Sequence, residues 1–294
     1  MKPLRRAAFG LGLCLLLLVA CLPKTIPPLP PQPAKVAVVL GAGVSRGFAH
    51  AGVLKVLEAH KVPIHLIVGT SVGSFVGSIY AAGVDAFHVQ KMALAIQKDE
   101  VVDLTIPDNG FIRGEKLESF VNKAVQNAAI ERLKIPFRAV ATNVQTGEEV
   151  VFAMGNTGKA VRASCSIPGV FQPVRIGDKS YVDGGLVSPV AVDAAKKAGA
   201  DVVIAVDISA GVAKILPQGI LETILQSIDI MYAKIAAVQI RNADVVIRPR
   251  VSHINSSDFD RRHEAILEGE KAAAEALPQI QQILNKLRQE GRLP

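Results

Sequence analysis

Ser71 stands between two glycines in Gly69-Thr70-Ser71-Val72-Gly73. A serine in a Gly-x-Ser-x-Gly can act as a nucleophile when a base takes its hydroxyl proton. Two bases are open to it in this chain. Asp183, in Asp183-Gly184-Gly185, is a carboxylate that could take the proton directly. Its ordinary pKa of about 4 makes it a weak base toward serine. It would need a desolvated site and donors that meet the developing oxyanion. The other arrangement is a Ser–Asp–His triad, with Ser71, Asp183 and then His253 or His263 in chain order. His253 follows a strand end at Arg248-Pro249, a suitable place for a triad histidine. His263 lies in a helix of mixed charge, where solvation is the simpler role.

The oxyanion donors must come from backbone N–H groups at a turn. Gly41-Ala42-Gly43-Val44-Ser45-Arg46-Gly47 is the candidate, with Gly41, Gly43, Val44 and Arg46 around the anion. The same loop could be read as a dinucleotide fingerprint. That reading needs a glycine where Arg46 stands, and the following strand ends in Gly-Thr-Ser instead of an acid.

These residues need particular elements to hold them. Lys35–Leu40 is a continuous apolar run, which predicts a buried parallel strand feeding the glycine loop. Phe48, Val53, Leu54 and Leu57 predict a helix after it, ending near His60. Leu66-Ile67-Val68 predicts a strand that enters the serine turn, and small residues to about Ala82 predict a helix leaving it. Gly69 and Gly73 allow strand and helix to approach closely across that turn. Further on, the pattern predicts helices over 85–97, from about 117, over 157–163, 187–197 and 217–241, and over 260–292. Strands are predicted over 137–143, 148–153, 181–183, 201–207 and 244–247, and a turn at 108–110. Alternating strands and helices give an α/β fold, a three-layer sandwich with a mostly parallel central sheet.

Four stretches, 36–54, 67–74, 110–117 and 162–190, together resemble the patatin-like phospholipase family. They include Leu40-Gly-Ala-Gly-Val-Ser-Arg-Gly47, the Gly69–Gly73 turn, Ser166-Ile-Pro-Gly-Val-Phe-Gln-Pro173 and Asp183-Gly-Gly185. The resemblance implies a patatin-like fold, with a glycine-rich oxyanion loop and a serine–aspartate dyad without histidine. Ser71 would be the nucleophile and Asp183 the proton acceptor, with Gly47, Gly69, Gly73, Gly184 and Gly185 as motif glycines. Ala42 and Val44 depart from the family's usual glycines. That matters if either position needs positive φ. His50 matches a motif histidine, read as packing or hydrogen bonding. The implied substrates are membrane phospholipids or lysophospholipids. No metal or organic cofactor is implied.

The N-terminus points to a membrane. Lys2, Arg5 and Arg6 precede an apolar Phe9–Val19, and Leu18-Val19-Ala20-Cys21 resembles a bacterial lipobox. Residues 1–21 are thus expected to be a lipoprotein signal with lipidation at Cys21. Residues 22–34 carry six prolines and read as a semi-rigid tether, with the hydrolase domain over 35–294. Leu22, not Asp, after the cysteine suggests an outer-membrane destination facing the periplasm. The formal charge is +7, of which the three basic residues before Cys21 supply three, leaving a mildly basic domain. Trp is absent, Tyr numbers three, and no Lys/Arg run occurs, which argues against nucleic acid as a partner. With Cys14 expected to leave with the signal and Cys21 to carry the lipid, Cys165 is alone and a disulfide framework is excluded.

Overall fold

The structure is a computed structural model that describes residues 31–106, 109–209, 216–255 and 258–294. The signal, Cys21 and the tether up to Pro30 lie outside the described residues, as does Asp108 of the turn at 108–110. All elements named here fall within residues 33–294.

Eight strands form one sheet: β1 (Val36–Leu40), β2 (Leu66–Thr70), β3 (Phe137–Asn143), β4 (Glu149–Phe152), β5 (Val174–Ile176), β6 (Lys179–Asp183), β7 (Val202–Val206) and β8 (Val245–Ile247). The order is β5-β6-β3-β2-β1-β7-β8, with β4 also pairing β3. Five strands, β3-β2-β1-β7-β8, run parallel. The hairpin β5–β6 and strand β4 are antiparallel to their neighbours. β1, β2 and β7 are buried along their whole length, as expected of apolar runs covered on both faces.

Two cores flank the sheet, making three layers. The period of two sorts the strand residues between them. Val36, Val38 and Leu40 of β1 join Val202, Ile204 and Val206 of β7 in the larger core. Ala37, Val39, Val203 and Ala205 face the smaller one. The larger core is covered by α1 (Phe48–Ala59), α2 (Val72–Ala81), α3 (Ala86–Ala95) and the long C-terminal helix Arg262–Gln289. Gly52 and Gly269 let α1 and that helix cross in backbone contact: a Cβ on Gly269 would stand 2.0 Å from the Ala49 carbonyl oxygen. Among the described residues the remaining α-helices are α4 (Lys98–Val101), α5 (Glu115–Ala124), α6 (Thr157–Ser164), α7 (Val192–Lys197) and α8 (Ile220–Gln239), and the C-terminal helix is numbered α9.

The short helix α4 is absent from the sequence reading, and two further elements differ from it. The helix expected over 187–197 begins only at Val192. Residues 188–190 instead form a turn outside the helix, and their backbone serves the site: Thr70 Oγ1 donates to the Ser188 carbonyl and Ala42 N–H to that of Pro189. The short strand β5 was not expected, having only three residues with its middle one exposed.

Candidate active site

The sheet register brings Ser71 and Asp183 together. On β3, Val140 is the partner of Thr70 and the next residue, Ala141, is the partner of Asp183. β4 occupies one edge of β3 from Ala139 to Thr142. β2 and β6 each overlap that span, so both lie on the opposite edge. There β2 stops and β6 takes over. The turn after Thr70 and the end of β6 at Asp183 therefore meet at one point of the sheet.

Ser71 is the pivot between β2 and α2, with φ 54° and ψ −127°. A non-glycine residue in that region is strained by about 1–3 kcal/mol. Its surroundings hold it there. Its N–H donates to Ser164 Oγ at 2.9 Å, and Ser164 Oγ donates in turn to the Val140 carbonyl. Its carbonyl accepts from Ser74 N, Phe75 N and Ser74 Oγ. The glycines on either side are required by close approach. A Cβ on Gly69 would lie 2.4 Å from Ser74 Cα, and one on Gly73 would lie 2.0 Å from the Leu40 carbonyl oxygen.

Asp183 is fully buried. Its N–H donates to the Ser166 carbonyl, its carbonyl accepts from Thr142 Oγ1, and Oδ1 accepts from Gly185 N at 2.7 Å. Burial pushes its carboxyl up to about 6, against the smaller downward pull of Ser71, Gly185 N and Tyr232 beside it. At pH 7 it is still about nine-tenths ionised. Oδ2 makes no fully formed hydrogen bond among the described residues. Such bonds are often loose before substrate arrives.

The glycine loop packs against this pair. A Cβ on Gly47 would fall 2.2 Å from Val72 Cγ2, just after Ser71. Val44, Ser45 and Gly47 line the same cavity as Ser71. Val44 adopts φ 50°, so this is the position where glycine would have been easier. No intramolecular hydrogen bond among the described residues occupies the N–H of Gly43 or Val44. Two of the expected loop donors are corrected. Gly41 N–H is already bonded to the Val206 carbonyl at 3.1 Å, continuing the β1–β7 ladder. Arg46 is 1% exposed and turns away into a two-pronged ion pair with Asp229 and a bond to the Ile254 carbonyl. Its charge is neutralised there and does not face an oxyanion.

His50 is buried, with Nε2 2.8 Å from the Gly41 carbonyl. That oxygen only accepts, so Nε2 carries the proton. Burial lowers the imidazole to about 4, which keeps it neutral. It braces the loop. His253 is exposed and bonded to Glu264, and His263 is exposed. Among the described residues neither is hydrogen-bonded to Ser71 or Asp183. Cys165 is buried, and desolvation raises its thiol far above the usual range.

A cavity of about 240 Å³ opens at Ser71. Its walls are almost wholly apolar: Val76 and Ile79 of α2, Val89 and Met92 of α3, Phe75 stacked on Phe120, and Ile167, Val170 and Leu225. Sequence reasoning missed Ser164, Asp229 and Tyr232. Ser164 sits one residue before Cys165 in a stretch with no local cue. Asp229 did carry a cue, being an acid between Leu225, Ile228 and Tyr232 on the buried face of a helix.

Comparison with known proteins shows what the chain is similar to. A solved structure of VipD from Legionella pneumophila superposes with a TM-score of 0.58 at 12% identity, over 84% of this chain and 67% of that one. That likeness concerns the fold alone. An uncharacterised NTE family protein of Mycobacterium tuberculosis is 37% identical over 177 residues, 60% of this chain and 49% of the relative. A lysophospholipase of Debaryomyces hansenii is 35% identical over 179 residues, 59% of this chain and 12% of the relative. Patatin-like phospholipase domain-containing protein 6 of Mus musculus is 34% identical over 181 residues, 59% of this chain and 13% of the relative. The chain thus spans half or less of the length of these relatives. The family model for patatin-like phospholipases matches residues 38–196, more than half of the sequence, and the chain belongs to that family.

Proposed function

We propose that the protein is a serine acyl hydrolase that cleaves fatty-acyl esters of phospholipids or lysophospholipids through Ser71 and Asp183. The observation that carries this reading is the placement of Ser71. It stands at a strained turn beside a buried carboxylate and lines an apolar cavity. A polar substrate would find few partners there, whereas an acyl chain is desolvated favourably, by about 0.8 kcal/mol per buried methylene.

In the proposed mechanism the acyl chain lies in the cavity with its ester carbonyl at Ser71 Oγ. Oγ attacks the carbonyl carbon as its proton passes to Asp183. The oxyanion is met by the N–H groups of Gly43 and Val44. As the tetrahedral intermediate collapses, the C–O bond to the glycerol oxygen breaks and Asp183 returns the proton to that oxygen. Water then attacks the acyl-enzyme, giving one proton to Asp183, and the fatty acid leaves as Ser71 Oγ regains it. Asp183 suits both directions because its raised pKa lies close to neutral pH.

The lipobox reading adds a location to this proposal. Lipidation at Cys21 and a proline tether over 22–34 would hold the hydrolase at an envelope membrane.

Labelling with a fluorophosphonate probe tests the nucleophile. Wild type should carry one adduct on Ser71, and Ser71→Ala none. Chromatography of the products from phosphatidylcholine and lysophosphatidylcholine should then show free fatty acid from wild type alone. Adduct formation on another residue, or fatty acid release by Ser71→Ala, overturns the reading.

A further inference from the structure

Helix α8 lies wholly beyond the residues matched by the family model, yet it reaches the site twice. Asp229 binds Arg46 of the glycine loop, and Tyr232, one turn later on the same face, lies over Asp183-Gly184-Gly185. The tip of the Tyr232 ring occupies the space where residue 185 would carry a side chain. A Cβ on Gly185 would stand 2.2 Å from Cζ and 2.5 Å from the phenol oxygen. Gly185 N–H meanwhile bonds Oδ1 of Asp183.

Two buried polar atoms are left over at this spot. Tyr232 Oη and Asp183 Oδ2 are both buried without a hydrogen bond among the described residues. One is a donor and the other an acceptor. A buried polar atom without a partner is costly, so such a pair is a strong sign of a shared bond. Burial and the nearby Asp183 charge keep the phenol protonated, so toward an ionised carboxylate oxygen it is the donor.

We infer that Tyr232 is a positioning residue whose phenol O–H donates to Oδ2 of Asp183, holding the carboxylate in its ionised form and aimed at Ser71. This rests on the reading of Asp183 as proton acceptor. The other groups facing the carboxylate are Ser71 from the turn after β2, Cys165 from the loop after α6, and Gly185 N. Asp229 is the further charge beside the phenol, and it is paired with Arg46. None of these gives Oδ2 a second donor among the described residues, apart from the Ser71 hydroxyl that must surrender its proton.

Donation to the ionised form lowers the acid's pKa, so removing the hydroxyl should raise it. Tyr232→Phe keeps the ring and its packing. Hydrolysis of p-nitrophenyl butyrate, read at the isosbestic wavelength of nitrophenol, gives kcat/KM against pH. The acid limb should lie near pH 6 in wild type and about one pH unit higher in Tyr232→Phe. At pH 6.5 the variant should be about threefold slower, with the two profiles converging above pH 8. Gly185→Ala, which forces the ring away while keeping the N–H to Oδ1, should move the limb the same way. An unmoved limb in a folded Tyr232→Phe overturns the inference. The parent reading is read separately: if Asp183→Asn keeps its activity, Asp183 is not the proton acceptor. If Asp183→Asn is inactive and Tyr232→Phe unmoved, only the role of Tyr232 falls.

Discussion

Arg46 and Asp229 face each other inside the protein, Nη1 to Oδ1 at 3.1 Å and Nη2 to Oδ2 at 2.6 Å. The pair joins the glycine loop to α8, 183 residues away in sequence. Taking both charges out of water is costly, and the bidentate geometry offsets that cost. Removing one partner leaves a buried charge. Asp229→Ala should therefore cost about 3 kcal/mol and lower Tm by about 6–12 °C. Replacing both, Arg46→Met with Asp229→Leu, should recover most of that loss. Differential scanning calorimetry on the two variants beside wild type decides it. A single variant that melts with wild type would mean the pair contributes no stability.

Asp183 gives a prediction of opposite sign. Its folded pKa of about 6 is raised above the ordinary carboxylate value of 3.8. The folded state therefore binds the proton more tightly than the unfolded state. Relative to a neutral side chain, ionisation lowers stability as pH rises from about 4 through 6. The loss approaches about 3 kcal/mol above pH 7. Asp183→Asn keeps an acceptor for Gly185 N and carries no charge. It should be inactive, yet melt higher than wild type at pH 8, with the gap closing near pH 4. An equal melting temperature at both pH values would show that the buried charge is not a liability.

Both residues show what the sequence makes legible. Ser71 and Asp183 announce themselves because their local turns need glycine at fixed offsets, and such spacing survives in one dimension. Two apolar runs and two motifs were enough to place them at strand ends. Tyr232 and Asp229 have no such spacing, since α8 reads as an ordinary periodic helix. Their role arises from a contact with residues more than 45 positions earlier in the chain. Arg46 was misplaced for a related reason. An arginine in a glycine loop suggests an anion site until a buried carboxylate from elsewhere in the fold is seen to claim it. The residues at 188–190 read as a helix start, and only the sheet end beside them explains why their carbonyls stay outside one.

The histidines separate the dyad from the triad. His253 is held by Glu264 on α9, and His263 is exposed. His253→Ala and His263→Ala should each keep kcat/KM within about twofold of wild type. A loss as large as that of Ser71→Ala, in either variant, would replace the proposed dyad by a triad.

Cys21 is tested in the bacterial cell. Expressed with residues 1–21 in place, the protein should take up tritiated palmitate and fractionate with membranes. Cys21→Ala should do neither. Label retained by the variant would place the acyl group elsewhere.

Cavity depth gives the last prediction. Val76 and Ile79 lie on the same helix as the turn that holds Ser71, and both line the cavity. Eight residues separate Ser71 from Ile79, which at the helical rise is about 12 Å, room for about nine carbons of an extended chain. A bulky side chain at Ile79 should therefore block the far end and leave the reacting end open. Ile79→Trp should lower the rate on a palmitoyl ester by at least about tenfold, through lost burial of the distal methylenes. The rate on a butyryl ester, whose chain ends well before Ile79, should stay within about threefold and shows that the fold is intact. A uniform loss on both esters would mean the substitution damages the core. Unchanged palmitoyl hydrolysis would mean the acyl chain takes another path from Ser71.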